Sequence, residues 1–422
     1  FLFIKELDCE VFKNINCKNL PSLRRNIVYQ FLYELLIVFI PLFTIPYVSR
    51  VLGAENIGLF SYTYAVANYF VLFANLGIKN YGSRTIAMVR NNKEELNRNF
   101  SEILSIHIIF SIIVIFVYLV LLFFFVEDNL VIFLIQSIYV FAAVFDINWF
   151  FFGIEKFKLT VGRNTLVKIL SVFLVLVFVK TQTDLWIYAL ILALSVFVGQ
   201  SVVWFALKQY VSWRRPSWAN MKQHIRPLFV LFLPILALSL YKYMDKIMLG
   251  SISSNVQVGF YENAEKIINV PMSLIMAFGV VLMPRIANMV TSKDKGEVFK
   301  LIDMSMEAVM LLAIAISFGL AGISFVLAPI FFGYEFEECG ILIMGLAVTV
   351  PFMAFANVIR TQYLIPYKED KIFVVSLFLG AAVNLIVNII LIPYMAARGA
   401  VIGTIFAEII VCIYQSYFVR KK

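Results

Sequence analysis

The sequence predicts an all-α integral membrane protein: about twelve transmembrane helices in two parallel-repeat six-helix lobes, with both termini cytoplasmic. Three observations carry this. Apolar residues make up 62% of the chain and charged residues 14%, with a mean hydropathy of +0.90. A soluble domain has roughly 45–50% apolar and about 25% charged residues. The stretches between charge clusters run about 20 residues, enough to cross roughly 30 Å of hydrocarbon. Basic residues fall almost entirely on one side of those stretches. The stretches are continuously apolar, which argues against the period-2 strands of a membrane barrel, and helices satisfy their own backbone in lipid.

In chain order, residues 1–25 form an arm whose mixed charges interrupt any signal-peptide core. Spans are expected near 27–48, 57–77, 101–126, 129–152, 160–179 and 184–207, then near 227–249, 257–283, 302–328, 338–364, 371–393 and 399–418. The arm and alternate loops hold 28 of the 35 Lys and Arg residues; the opposite loops hold three, Arg50, Lys180 and Arg398. By the positive-inside rule the richer side is cytoplasmic. The net charge of +9 is therefore a topology signal rather than a nucleic-acid footprint. The basic linker 208–226, with Trp213 and Trp218, is expected on the inner leaflet. The four cysteines show no CxxC spacing and no GxxxxGK loop is present, so no metal site, redox pair, cofactor or P-loop ATP chemistry is expected. His107 reads as a helix-packing imidazole and His224 as a loop imidazole.

The linker divides the chain into lobes at 26–207 and 227–422, and the lobes echo each other. Leu52-Gly53, Ile57-Gly58 and Arg84-Thr-Ile86-Ala87 are matched by Leu249-Gly250, Val258-Gly259 and Arg285-Ile286-Ala287. Gly58 to Arg84 and Gly259 to Arg285 are both 26 residues. Six spans per lobe is an even number, so the repeats are parallel, related by an axis along the membrane normal. Gly399 and Gly403, with Ala407 a turn on, form a small-residue packing face.

The chain resembles the Wzx-type oligosaccharide flippases, of the polysaccharide transporter family in the MOP superfamily. The resemblance is carried by Pro46-Tyr-Val-Ser-Arg-Val-Leu-Gly53, Tyr69-Phe-Val-Leu-Phe-Ala-Asn-Leu-Gly77 and Asp146-Ile-Asn-Trp-Phe-Phe-Phe-Gly-Ile-Glu-Lys156. It continues in Tyr243-Met-Asp-Lys-Ile-Met-Leu-Gly250, Gly259-Phe-Tyr-Glu-Asn-Ala-Glu-Lys266, Met283-Pro-Arg-Ile-Ala287 and Asn388-Ile-Ile-Leu-Ile-Pro393. It implies a MATE-like bundle in the bacterial cytoplasmic membrane that moves undecaprenyl-diphosphate-linked oligosaccharide units to the outer leaflet by alternating access. The implied partners are that polyprenyl-diphosphate-linked oligosaccharide, the lipid bilayer, and a polysaccharide polymerase with chain-length proteins. Many relatives continue to fourteen helices and the chain opens on Phe1, so a short or truncated form is expected. Two alternatives stand beside this reading: a drug/cation antiporter of the same superfamily, and a membrane glycosyltransferase or polymerase of the same pathway. Short outer loops disfavour the enzyme.

Charge inside a span is costly and marks function by default. Glu34, Asp146, Lys168, Lys242, Asp245, Lys246, Glu262, Glu265, Lys266 and Glu408 are so placed. Lys168, Lys242 and Lys266, with Arg50, Tyr62 and Tyr243, are the expected contacts to diphosphate and sugar. Glu262, Asp245, Glu34 and Asp146 are the expected ion-coupling carboxylates. Glu262 and Lys266 share a helix face at i,i+4, whereas the corresponding first-lobe positions are Ser61 and Ala65. Asp245 and Lys246 read as a packing pair near the outer surface, and Asn384 and Asn388 as interhelical glue. The bland alternative is that all these charges neutralise one another in packing.

Overall fold

A computed structural model describes the backbone of residues 20–291 and 295–420, and side chains from residue 42 onward except at 241, 280, 281, 284, 291 and 295. Among the described residues all regular structure is helical. The first half comprises α1 (Leu20–Asn75), α2 (Ile78–Val89), α3 (Lys93–Phe125), α4 (Leu130–Val144), α5 (Asn148–Gly153), α6 (Phe157–Phe178) and α7 (Leu185–Leu207). The second half comprises α8 (Trp218–Ile252), α9 (Asn255–Thr291), α10 (Lys295–Phe332), α11 (Cys339–Ala347), α12 (Thr349–Val358), α13 (Asp370–Met395) and α14 (Ala397–Arg420). A π-helical turn, Ile359–Leu364, follows α12.

Ten stretches among the described residues are long and apolar enough to cross a membrane. Of the twelve expected spans, the one near 27–48 falls largely where side chains are not described, and α9, which carries Glu262, Glu265 and Lys266, is not among the ten. Large hydrophobic side chains stay exposed along these helices, among them Phe116, Phe123, Leu166, Phe205, Phe318 and Ile386. A soluble protein would bury such a surface, whereas lipid takes it without cost.

The first two expected spans run as one helix, α1, broken at Gly53, where φ is 76° and ψ is 172°. That left-handed backbone suits glycine. It frees the Ala54 N–H, which donates to Glu335 Oε1 at 2.8 Å from the loop after α10. One turn on, α1 crosses α9 backbone to backbone. A Cβ on Gly58 would lie 1.6 Å from the Asn255 carbonyl oxygen, and one on Gly259 2.1 Å from that of Ala54. The two glycines matched by the repeat therefore meet each other. α14 seats on α13 in the same manner, since a Cβ on Gly403 would lie 2.2 Å from Asn388 Oδ1.

The bundle has a basic end and an opposite end. The basic end carries Arg84, Arg98 and Arg226 with the Arg90–Glu155 and Arg214–Glu94 ion pairs. The opposite end carries Arg50, Lys180, Glu335 and the Arg398–Glu338 pair. Asn92 caps α3 by accepting from the Glu94 and Glu95 N–H groups, with those two acids in the first turn.

The largest apolar cluster spans both halves, joining Leu52, Ile57 and Val175 to Leu249, Tyr261, Ile275 and Val401. A second cluster at the basic end contains Phe100, Trp149, Phe150 and Phe151, and draws in Met221, Leu228 and Phe232 from α8. So α8 begins packed on the first half and ends within the second. The expected linker 208–226 is helical from Trp218 onward, because Met221 and His224 find buried places on the first half.

Candidate functional site

Between the two ends, α8 and α9 place their charged residues against each other. Lys246 on α8 is the hub. Its Nζ lies 2.6 Å from Glu262 Oε2 and 2.8 Å from Glu265 Oε2 on α9. Glu262 Oε1 also meets Lys266 Nζ at 3.1 Å, so the pair expected at i,i+4 forms, but as one arm of a larger network. Lys246 is 7% exposed and Asp245 is 4% exposed. Both are therefore buried in the protein, and among the described residues they bond other partners rather than each other.

Asp245 is satisfied by neutral donors. Its Oδ2 accepts from the Tyr261 hydroxyl at 2.6 Å and the Thr404 hydroxyl at 3.1 Å, and its Oδ1 from Asn388 Nδ2 at 2.6 Å. Asn388 also donates to Asn384 Oδ1 at 3.1 Å. Four helices, α8, α9, α13 and α14, thus converge on one buried carboxylate. Burial of such a group is tolerated only with this level of hydrogen bonding.

Two lysines keep solvent contact. Lys266 retains 32% of its side-chain exposure. Lys242 is exposed, its ammonium 5.4 Å from the Tyr243 ring centroid, and it forms no ion pair among the described residues. Tyr243 in turn meets Tyr69 of α1 at 6.0 Å, a contact between the halves.

The first half faces this charge with aromatic rings. Tyr64 packs on Phe60 at 5.6 Å and Tyr139 at 5.1 Å, and Tyr188 packs edge-on against Phe60 at 4.9 Å. Lys242 and Glu262 lie within electrostatic range of Tyr64, and Glu262 within range of Tyr188. Tyr62 touches Phe133 at 5.9 Å and its hydroxyl lies 3.4 Å from Ser251 Oγ across the halves.

The remaining expected residues stand elsewhere. Arg50 is at the opposite end, where its guanidinium donates to the Ile330 carbonyl at 2.6 Å. Asp146 is at the basic end, accepting from the Asn148 N–H and side-chain amide in a polar knot with Gln200 and Arg163. Lys168 is half-buried on α6 and forms no described bond to the central group. Glu34 lies outside the described side chains.

Sequence reasoning marked Lys246 and Glu265 as in-span charges without a specific role, and gave none to Tyr261, Thr404, Tyr64 or Tyr188. The i,i+4 pair Asn384 and Asn388 pointed to the carboxylate's surroundings, but which carboxylate they serve depends on helix packing. His224, expected in a loop, is 3% exposed on α8 and bonded to Glu102.

Comparison with known proteins agrees with this architecture. Residues 23–290 match the family described as polysaccharide biosynthesis protein. A Shigella dysenteriae protein described as an O-antigen transporter is 24% identical over 408 residues, covering 93% of this chain and 99% of its own. The inward closed conformation of the lipid II flippase MurJ superposes with a TM-score of 0.72 at 16% identity, over 94% of this chain and 87% of its own. An inward-facing multidrug resistance MATE transporter of the MOP superfamily follows at 0.67 and 14% identity, over 92% and 97%. The family match covers well over half of the sequence, and this multi-pass membrane chain belongs to the polysaccharide biosynthesis protein family.

Proposed function

We propose that the chain flips a polyprenyl-diphosphate-linked oligosaccharide from the cytoplasmic to the outer leaflet of the bacterial cytoplasmic membrane. The observation that carries this reading is the pairing of Lys242, a lysine with no ion pair among the described residues, with an aromatic wall across the halves. An ammonium without a carboxylate partner suits a diphosphate, and tyrosine rings, apolar in face and polar at the hydroxyl, suit sugars. The transport role of the relatives supports a carrier rather than an enzyme.

In this reading the basic end faces the cytoplasm, which the Lys and Arg distribution supports. The Gly58–Gly259 crossing and the Arg50 and Glu335 contacts then close the outer side. Cargo enters between residues 26–207 and 227–422 acting as two rocking lobes joined by the linker 208–226. Lys242 holds the diphosphate with Lys266 beside it, and Tyr62 and Tyr243 face the sugars. Asp245, a buried carboxylate with no ion-pair partner among the described residues, takes up a proton or sodium ion to couple transport. A polymerase with its chain-length proteins would consume the flipped unit.

A drug/cation antiporter is the weaker reading, because Lys246 and Lys266 together already neutralise the two carboxylates of α9. The experiment is removal of the protein from its native cell. Completed lipid-linked repeats should then accumulate on the cytoplasmic leaflet while polymer disappears. Accumulation of incomplete repeats would assign a sugar-transfer step instead.

A further inference from the structure

At the basic end a cavity of about 720 Å³ opens between α2, the first turns of α3 and the start of α8. Its charged lining residues are Arg84, Arg98 and Arg226. Two other arginines at this end are paired, Arg90 with Glu155 and Arg214 with Glu94. Among the described residues none of the three cavity arginines forms an ion pair.

A carboxylate near them, Glu102, is withdrawn. It sits one turn beyond Arg98 but is 1% exposed. Its Oε1 accepts from Asn220 Nδ2 and its Oε2 from His224 Nε2, both at 3.0 Å. His224 Nδ1 and the Tyr81 hydroxyl are hydrogen-bonded at 2.6 Å. This buried chain ties the start of α8 to α2 and α3, and so holds Arg226 on the same cavity as Arg84 and Arg98. Three guanidinium groups with no ion pair among the described residues, gathered around one concavity, repel each other and concentrate anions. Their planar forks match phosphate oxygens.

Beside the neutral polar Thr85, Asn99 and Gln223, the wall carries the apolar Met88, Pro227 and Val230. Met88 is 69% exposed and Val230 58% exposed. Phe229 and Leu233 continue that exposed face along α8, within a stretch apolar enough to span a membrane. A soluble anion would use only the arginine side. An anionic group carrying a hydrocarbon tail would use both.

We infer that this cavity binds an anionic lipid-borne phosphate headgroup, at a site separate from the central charged group. Arg226 and Lys242 are 16 residues apart on α8, about 24 Å along a helix, so one headgroup does not reach both. The inference rests on the chain being a membrane protein and not on which cargo it carries.

The test is lipid binding by the purified full chain in phosphatidylcholine vesicles. The probes are phosphatidylglycerol, undecaprenyl diphosphate and, in the aqueous phase, inorganic pyrophosphate. The wild type should enrich an anionic lipid over phosphatidylcholine. The variant combining Arg84→Gln, Arg98→Gln and Arg226→Gln should lose about tenfold or more of that enrichment, as expected for lost charge-assisted bonds. Arg214→Gln, a paired arginine at the same end, should change little. Preference for undecaprenyl diphosphate would identify a docking point for cargo, and preference for phosphatidylglycerol a resident lipid; either supports the site. Unchanged enrichment in the triple variant, equal loss in Arg214→Gln, or pyrophosphate binding as tightly as lipid would overturn it. Should the triple variant fail to fold, the three single variants, each expected two- to threefold weaker, decide the matter.

Discussion

Helices α1 and α9 are related by the internal repeat and meet at Gly58 and Gly259, yet they present opposite chemistry to the space between the halves. Around α1 the wall is Tyr62, Tyr64 and Tyr69, with Ser61 and Ala65 at the positions that carry Glu262 and Lys266 in α9. Around α9 it is Lys246, Glu262, Glu265 and Lys266, with Asp245 behind. The backbone crossing constrains both helices equally, since each glycine admits no Cβ without a clash. Side chains are not so constrained. Buried charges are costly singly and tolerable in mutually neutralising groups, which favours gathering them on one wall and leaving the other to rings.

The largest effect should come from breaking the charged wall at its hub. Lys246→Ala leaves Glu262 and Glu265 close together without their shared ammonium. Stranding a buried charge costs about 3–5 kcal/mol, so the protein should largely vanish from the membrane fraction. Normal abundance of Lys246→Ala would show that this wall is not held by charge.

The crossing itself comes next. Gly259→Leu and Gly58→Leu should each cost about 1–3 kcal/mol through overpacking. Each should also raise thiol labelling of a cysteine placed at Asn56, by prising the halves apart at the opposite end. Equal effects of the two would sharpen the comparison. An effect of only one would mean the contact is not shared by the repeat.

The smallest effects distinguish the hydroxyls of the two walls. Tyr261→Phe removes a 2.6 Å donor to Asp245, and bonds to charged groups contribute about 1.5–3 kcal/mol. Tyr69→Phe removes only a 3.4 Å contact to the Ser239 carbonyl and should cost about 0.5 kcal/mol. Thermal unfolding in detergent orders the pair, and the reverse order would break the assignment of polar bonding to the second wall.

The helical membrane fold was legible from composition, from run length and from the placement of Lys and Arg. The glycines of the crossing were legible as a repeat, because equal 26-residue spacing survives in sequence; that they touch each other was not. Lys246 escaped because its partners lie on the next helix, 16 and 19 residues away, so its role depends on how α8 and α9 pack. Within one helix only i,i+3 and i,i+4 neighbours can be read, and that rule favoured Glu262 with Lys266 over the shorter contact to Lys246. The Tyr81–His224–Glu102 chain escaped for the same reason: it joins three segments across more than a hundred residues.

The central claim is that Lys242 is the base left unneutralised for an anionic headgroup, while Lys246 is structural. It is tested most directly by measuring membrane abundance and flipping of a fluorescent lipid-linked oligosaccharide by Lys242→Ala and Lys242→Arg in reconstituted vesicles. The account predicts normal abundance for both, loss of flipping in Lys242→Ala, and partial flipping in Lys242→Arg, where charge persists with altered geometry. Flipping by Lys242→Ala at the unmodified rate and normal abundance would contradict it.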